Sequence, residues 1–231
     1  MLPLKRALSS PIGRKFVMSI SGIALVLFVI VHLLGNLTLY IPDGGESFNR
    51  YAAGFEALGP MLYVMELGLL AVILLHAFWG ISTWLRNRRA RPERYAKSIA
   101  TKGGGSNLNI ASRNMAITGS FLFFFLIIHV WHFRVRKETV GEKTTVNGQE
   151  ATDLYALVVG SFENPAWVFF YTLSMVVLAF HLRHGFWSAL QSLGAMKPRW
   201  SKQIYAFGLI FAILLALGFL GMPIYLFLAA A

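Results

Sequence analysis

Apolar residues fall in long unbroken runs along this chain, at about 16–40, 61–85, 114–133, 166–190 and 204–228. Each run reaches the roughly 20 residues that a helix needs to cross about 30 Å of hydrocarbon. Backbone polar groups in lipid must bond within their own segment, so runs of this length are read as helices; a lipid-facing barrel would show shorter, alternating segments. The pattern predicts an all-α integral membrane bundle of five transmembrane helices. Residues 1–231 form a single membrane domain in this reading, because the longest connections are each about 30 residues. The 134–165 connection is the largest on its side, and its Asn147-Gly148 pair signals a turn. A hairpin and a short helix fit there equally well.

Composition agrees with the pattern. Of 231 residues 56% are hydrophobic and 13% charged, against about 25% charged in a soluble domain. The first run follows Lys5, Arg6, Arg14 and Lys15 as a signal peptide would, but its length and the lack of a clear A-x-A site make it a retained span. The net charge of +11 does not point to nucleic acid, because the charges sort by loop. Eight Lys/Arg lie in the 86–113 connection (Arg86, Arg88, Arg89, Arg91, Arg94, Lys97, Lys102, Arg113), and three in 191–203 (Lys197, Arg199, Lys202). The 41–60 loop has Arg50 among Asp43, Glu46 and Glu56, and the 134–165 loop has four Lys/Arg against five acids. By the positive-inside rule the N-terminus is cytoplasmic and the C-terminus outside, as five spans require. The implied location is the cytoplasmic (inner) membrane, crossed several times. With no cysteine, the chain holds no disulfide, C-x-x-C-H haem, thiolate zinc or iron–sulfur cluster.

The runs also echo one another. The first reads S-G-I-A-L-V-L-F-V-I-V-H and the third T-G-S-F-L-F-F-F-L-I-I-H: a hydroxyl residue, a glycine, nine residues and a histidine, giving Gly22 with His32 and Gly119 with His129. The second and fourth share H-x3-G, as His76 with Gly80 and His181 with Gly185. Counting at 1.5 Å per residue puts His32 and His129 roughly 6–8 Å outward of the midplane, and His76 and His181 roughly 4–8 Å inward. Each level then has two histidines on different helices. An iron porphyrin held by two imidazoles needs that arrangement, and two levels would make two haems with irons on the order of 15 Å apart. Glycine beside each site would let a flat macrocycle lie against the backbone. Intramembrane histidines can instead bridge helices or carry protons, but two depths with matched flanks favour ligation. Zinc fits less well, since no acid or second histidine lies four residues from His32, His76 or His181.

These pieces (S-P-I-G-R-K-F-V-M-S-I-S-G, H-L-L-G-N at 32, H-A-F-W-G at 76, S-R-N-M-x-x-T-G, H-V-W at 129 and H-L-R-H-G-F-W at 181) run through most of the chain. They resemble the five-helix, di-haem cytochrome b subunit of succinate:menaquinone oxidoreductases and related fumarate reductases. The resemblance implies two haems b, with His32 and His129 on the outer iron and His76 and His181 on the inner one. It implies a flavoprotein partner with FAD, an iron–sulfur subunit, and menaquinone as the membrane substrate. Electrons from succinate would then run through those subunits and the haems to menaquinone, or in reverse to fumarate.

His132 and His184 each follow a proposed ligand by three residues. His132 is expected at the outer boundary, facing water, a haem propionate or the quinone. His184 stands where the resemblance leads us to expect Asn, and Arg183 beside it could pair with a propionate or reach out to the interface. Glu66, near the outer side of the second run, is the candidate for supplying protons to the quinone. A quinone site on the inner side, near Ser21, Arg14 or the 86–113 loop, fits the sequence equally. The alternatives are the cytochrome b anchor of another redox complex, such as a hydrogenase or formate dehydrogenase, and a transporter using buried histidines.

Overall fold

The computed structural model describes residues 4–90 and 114–230. Arg91, Arg94, Lys97, Lys102 and Arg113, with the Gly103-Gly104-Gly105 stretch and the Ser112-Arg113 part of the motif before the third run, lie outside the described residues. The described chain is mostly helical, and five of its helices are long and apolar enough to cross a membrane: Pro11–Tyr40, Pro60–Arg89, Met115–Thr139, Pro165–Ser192 and Ser201–Ala230. We call them spans 1 to 5.

Every span is longer than its apolar run. Span 1 starts five residues early because Ser10 caps it, accepting from the Gly13 amide at 3.0 Å, with Pro11 in the first turn. Spans 2 and 4 likewise begin on Pro60 and Pro165. Span 3 continues past residue 133 through a π-helical turn at Trp131–Val135 into Arg136–Val140. The 134–165 segment is therefore not a loop at its start, because Arg134 and Lys137 reach from the helix to acids nearby.

Spans 1 to 4 form a ring in which span 1 packs on spans 2 and 4, and span 3 packs on the same two. Spans 1 and 3 face each other across one diagonal, and spans 2 and 4 across the other. Span 5 lies outside the ring, mainly against span 4, and carries the buried Pro223. Span 2 has no buried residue, and Met61, Val64, Leu67, Leu70, Leu74 and Phe78 are all exposed along it. An apolar surface of that extent suits lipid.

One side of the ring carries a cap. It comprises the 46–56 helix, a hairpin of β1 (Lys143–Val146) and β2 (Gln149–Thr152), and a helix at Leu154–Phe162. Both alternatives for 134–165 thus occur. The hairpin closes at Asn147-Gly148, with φ of 52° and 79°; two successive positive φ values make the turn that this residue pair favours. Asn49 joins the pieces, donating to Asp153 at 2.9 Å and accepting from the Tyr155 amide at 3.0 Å. Beneath the cap, Leu39, Phe48, Phe125, Phe162, Tyr171, Met222 and Leu226 form the main core cluster. The opposite side, holding the starts of spans 1, 3 and 5, is the base.

Candidate functional site

The histidines of the four ring helices meet in pairs across the two diagonals. His32 on span 1 faces His129 on span 3, with ring centroids 5.8 Å apart and planes at 86°. His76 on span 2 faces His181 on span 4, at 6.4 Å and 72°. Two imidazoles on opposite sides of one metal, each about 2 Å from it through a ring nitrogen, have centroids about 6 Å apart. Ser21 touches His76, and His32 stands eleven residues further along the same helix, so the pairs lie about 16 Å apart along the axis. Among the described residues no three His, Cys, Asp or Glu converge to hold a bare ion. Each pair offers two donors only, which suits a metal that brings its remaining ligands with it, as a porphyrin iron does.

The two hairpins of the ring are built alike. Span 1 sends Ser21 to Nδ1 of His76 at 3.1 Å, and span 3 sends Thr118 to Nδ1 of His181 at 3.1 Å. A Cβ on Gly22 would stand 3.3 Å from Cε1 of His76, and one on Gly119 would stand 3.2 Å from Cε1 of His181. Those glycines therefore make room for an imidazole of the neighbouring span. Gly80 and Gly185 meet Met18 and Met115, again matched positions, at 3.9 and 4.0 Å. The sequence echo is thus M-x-I-[ST]-G, each element serving the histidine of the next span. Its hydroxyl was visible, but nothing in spacing alone said which histidine it would reach.

The cap-side pair is held differently. His129 Nδ1 is buried without a hydrogen-bond partner among the described residues, and His32 Nδ1 lies 3.5 Å from the Asn36 amide nitrogen, itself donating to His32 O at 2.7 Å. Phe28 and Phe219 stack on His32, and Phe125 stacks on His129.

His132 does not face water. It is fully buried in the π-helical turn, its ring against Phe133 and Trp167 at 4.5 and 4.2 Å, and its Nδ1 is 3.1 Å from the Tyr171 hydroxyl. Trp167 and Tyr171 of span 4 cover it, a packing that a helical count along span 3 does not reveal. Tyr171, unremarked in the sequence, touches both His129 and His132. His184 packs edge-on to Trp187 at 4.9 Å rather than joining the His76–His181 pair. Arg183 is half-buried and makes no ion pair with a described residue. Arg14 is buried at the base, over the Trp79 ring three residues past His76. Glu66 is not a lone carboxylate: Arg134 donates to it at 2.7 and 3.4 Å and also holds Glu138.

Comparison with known proteins adds one observation to this geometry. The chain is similar to the succinate dehydrogenase cytochrome b558 subunit of Bacillus subtilis (strain 168). The two are 26% identical over 198 residues, covering 85% of this chain and 86% of the relative. No protein-family model and no solved structure matches. The likeness is distant, covers most of the chain, and supports a subunit of an oxidoreductase complex.

Proposed function

We propose that this chain is the membrane-anchor cytochrome b subunit of a succinate dehydrogenase or fumarate reductase complex. It carries electrons by two b haems between an iron–sulfur subunit, itself joined to an FAD flavoprotein, and menaquinone in the bilayer. The observation that carries the proposal is the pair of imidazole couples on the ring's two diagonals, at metal-spanning distance and at two depths. The distant likeness to a succinate dehydrogenase cytochrome b favours this complex over a hydrogenase or formate dehydrogenase anchor.

His32 and His129 would hold one haem, toward the cap, and His76 and His181 the other, toward the base. A bound haem supplies a one-electron couple, with a potential set by its ligands and their surroundings. The protein's own part is to keep four imidazoles facing and to exclude water with spans 4 and 5 and the aromatic cluster under the cap. Glu66, fixed by Arg134, is the carboxylate assigned to proton exchange with the quinone, and Arg183 and His184 are assigned to the surroundings of the base-side haem. The base, where Arg86, Arg88, Arg89, Lys197, Arg199 and Lys202 make no ion pair with a described residue, would face the cytoplasm and receive the soluble subunits.

Optical difference spectra and pyridine haemochrome assay of the purified full chain test this reading. Two haems b per polypeptide are expected, and His32→Ala, His76→Ala, His129→Ala and His181→Ala should each lower the count by one. A folded chain without haem would return the histidines to helix bridging or transport.

A further inference from the structure

The contact that repeats in both hairpins also fixes a proton. Ser21 has a single hydroxyl hydrogen, shared by Val17 O at 2.8 Å and Met18 O at 3.1 Å. Thr118 likewise donates to Asn114 O at 3.0 Å and Met115 O at 3.2 Å. Each hydroxyl hydrogen thus has carbonyl acceptors within its own helix. With the hydrogen so engaged, the oxygen is left to accept from the imidazole Nδ1 3.1 Å away. That pairing puts the ring proton of His76 and of His181 on Nδ1 and leaves Nε2 its lone pair. His76 also has a backbone hydrogen bond with Met18. The cap-side pair lacks this device, since His129 Nδ1 has no hydrogen-bond partner among the described residues and His32 Nδ1 faces a donor, the Asn36 amide.

We infer that Ser21 and Thr118 are positioning residues that hold His76 and His181 in the metal-binding tautomer and set the electron affinity of the group between them. The inference rests on the haem reading above and concerns the base-side pair alone. A hydrogen bond accepted from Nδ1–H makes the opposite nitrogen more basic, and a more basic ligand favours the oxidised metal. Removing the acceptor therefore raises the potential of that centre, and with no proton lock the ring is free to turn.

Redox titration of the full chain loaded with haem, followed optically, tests this. Ser21→Ala and Thr118→Ala are each expected to move the same one of two haem steps to higher potential and leave the other in place. Ser21→Thr and Thr118→Ser, which exchange the two hydroxyl residues, should restore the wild-type step. Thr118→Val keeps the side-chain shape and loses only the acceptor, so it serves if an alanine variant does not fold. Unshifted steps in the alanine and valine variants, or shifts in different steps, would overturn the inference while leaving the haem reading intact. A wild-type chain that takes up no haem would instead remove the function proposed above.

Discussion

At the scale of single residues, the room beside each imidazole is what the sequence motif protects. Gly22 and Gly119 leave 3.3 and 3.2 Å from a would-be Cβ to the ring of the facing histidine, whereas Gly80 and Gly185 leave 3.9 and 4.0 Å to a flexible methionine tip. Overpacking a tight site costs about 1–3 kcal/mol, and 1.4 kcal/mol is a factor of ten. Gly22→Ala and Gly119→Ala should therefore speed haem loss to an excess of scavenger about tenfold, while Gly80→Ala and Gly185→Ala stay within about twofold of wild type. Equal rates across the four variants would mean that the rings shift freely. The glycines were legible in the sequence as special positions, since Gly22 and Gly119 precede a matched histidine by ten residues and Gly80 and Gly185 follow one by four. Their neighbour was not, because a one-dimensional echo does not say which helices touch. The same limit hid Tyr171, whose bond to His132 joins span 4 to span 3.

At the scale of elements, hydropathy located all five spans but placed their ends short, because helices carry on through charged residues whose side chains reach the interface. Arg86, Arg88 and Arg89 still belong to span 2, and Arg136 and Lys137 to span 3. The cap was legible only as a polar stretch with a turn signal. Its 46–56 helix begins under Asp43, which accepts from the Gly45 amide at 3.1 Å and the Ser47 amide at 3.0 Å. The Ser47 side chain first, and these amides after it, hold the Asp43 carboxyl below its ordinary value of 3.8. A carboxyl with a depressed value stabilises the folded form above its unfolded value, about 3.9, and that contribution is lost as pH falls through the folded value. Amide exchange of the 43–56 segment, corrected for the intrinsic rate, should then be flat from pH 7 to about pH 5 and rise below about pH 4. Asp43→Ala should show the faster exchange above about pH 5, where the carboxylate is ionised, and no such rise; a rise of the same size in the variant would assign it to another acid.

At the scale of the whole molecule, the two sides of the bundle treat charge differently. On the cap side, cations meet acids of the same chain: Arg50 with Glu46, Arg134 with Glu66 and Glu138, Lys137 with Glu56, and Lys143 with Glu150. On the base, Arg86, Arg88, Arg89, Lys197, Arg199 and Lys202 make no ion pair with a described residue, and no Asp or Glu among the described residues lies on that side. Paired charges near the surface contribute little to stability, so the contrast is better read as a statement about surroundings. Unmatched cations beside a span favour the cytoplasmic leaflet, where anionic lipid attracts each by about 1 kcal/mol. The orientation that follows has the base inside and the hairpin outside, and it agrees with docking of soluble electron-transfer subunits on the base. A chain without cysteine makes this directly measurable, since any introduced thiol is unique. A membrane-impermeant maleimide applied to intact cells should label the Glu150→Cys variant, on the hairpin, and should reach Lys197→Cys only after lysis. The reverse pattern would turn the bundle over, carry the base-side histidine pair to the outer leaflet, and leave the soluble partners proposed above with no surface on their own side of the membrane.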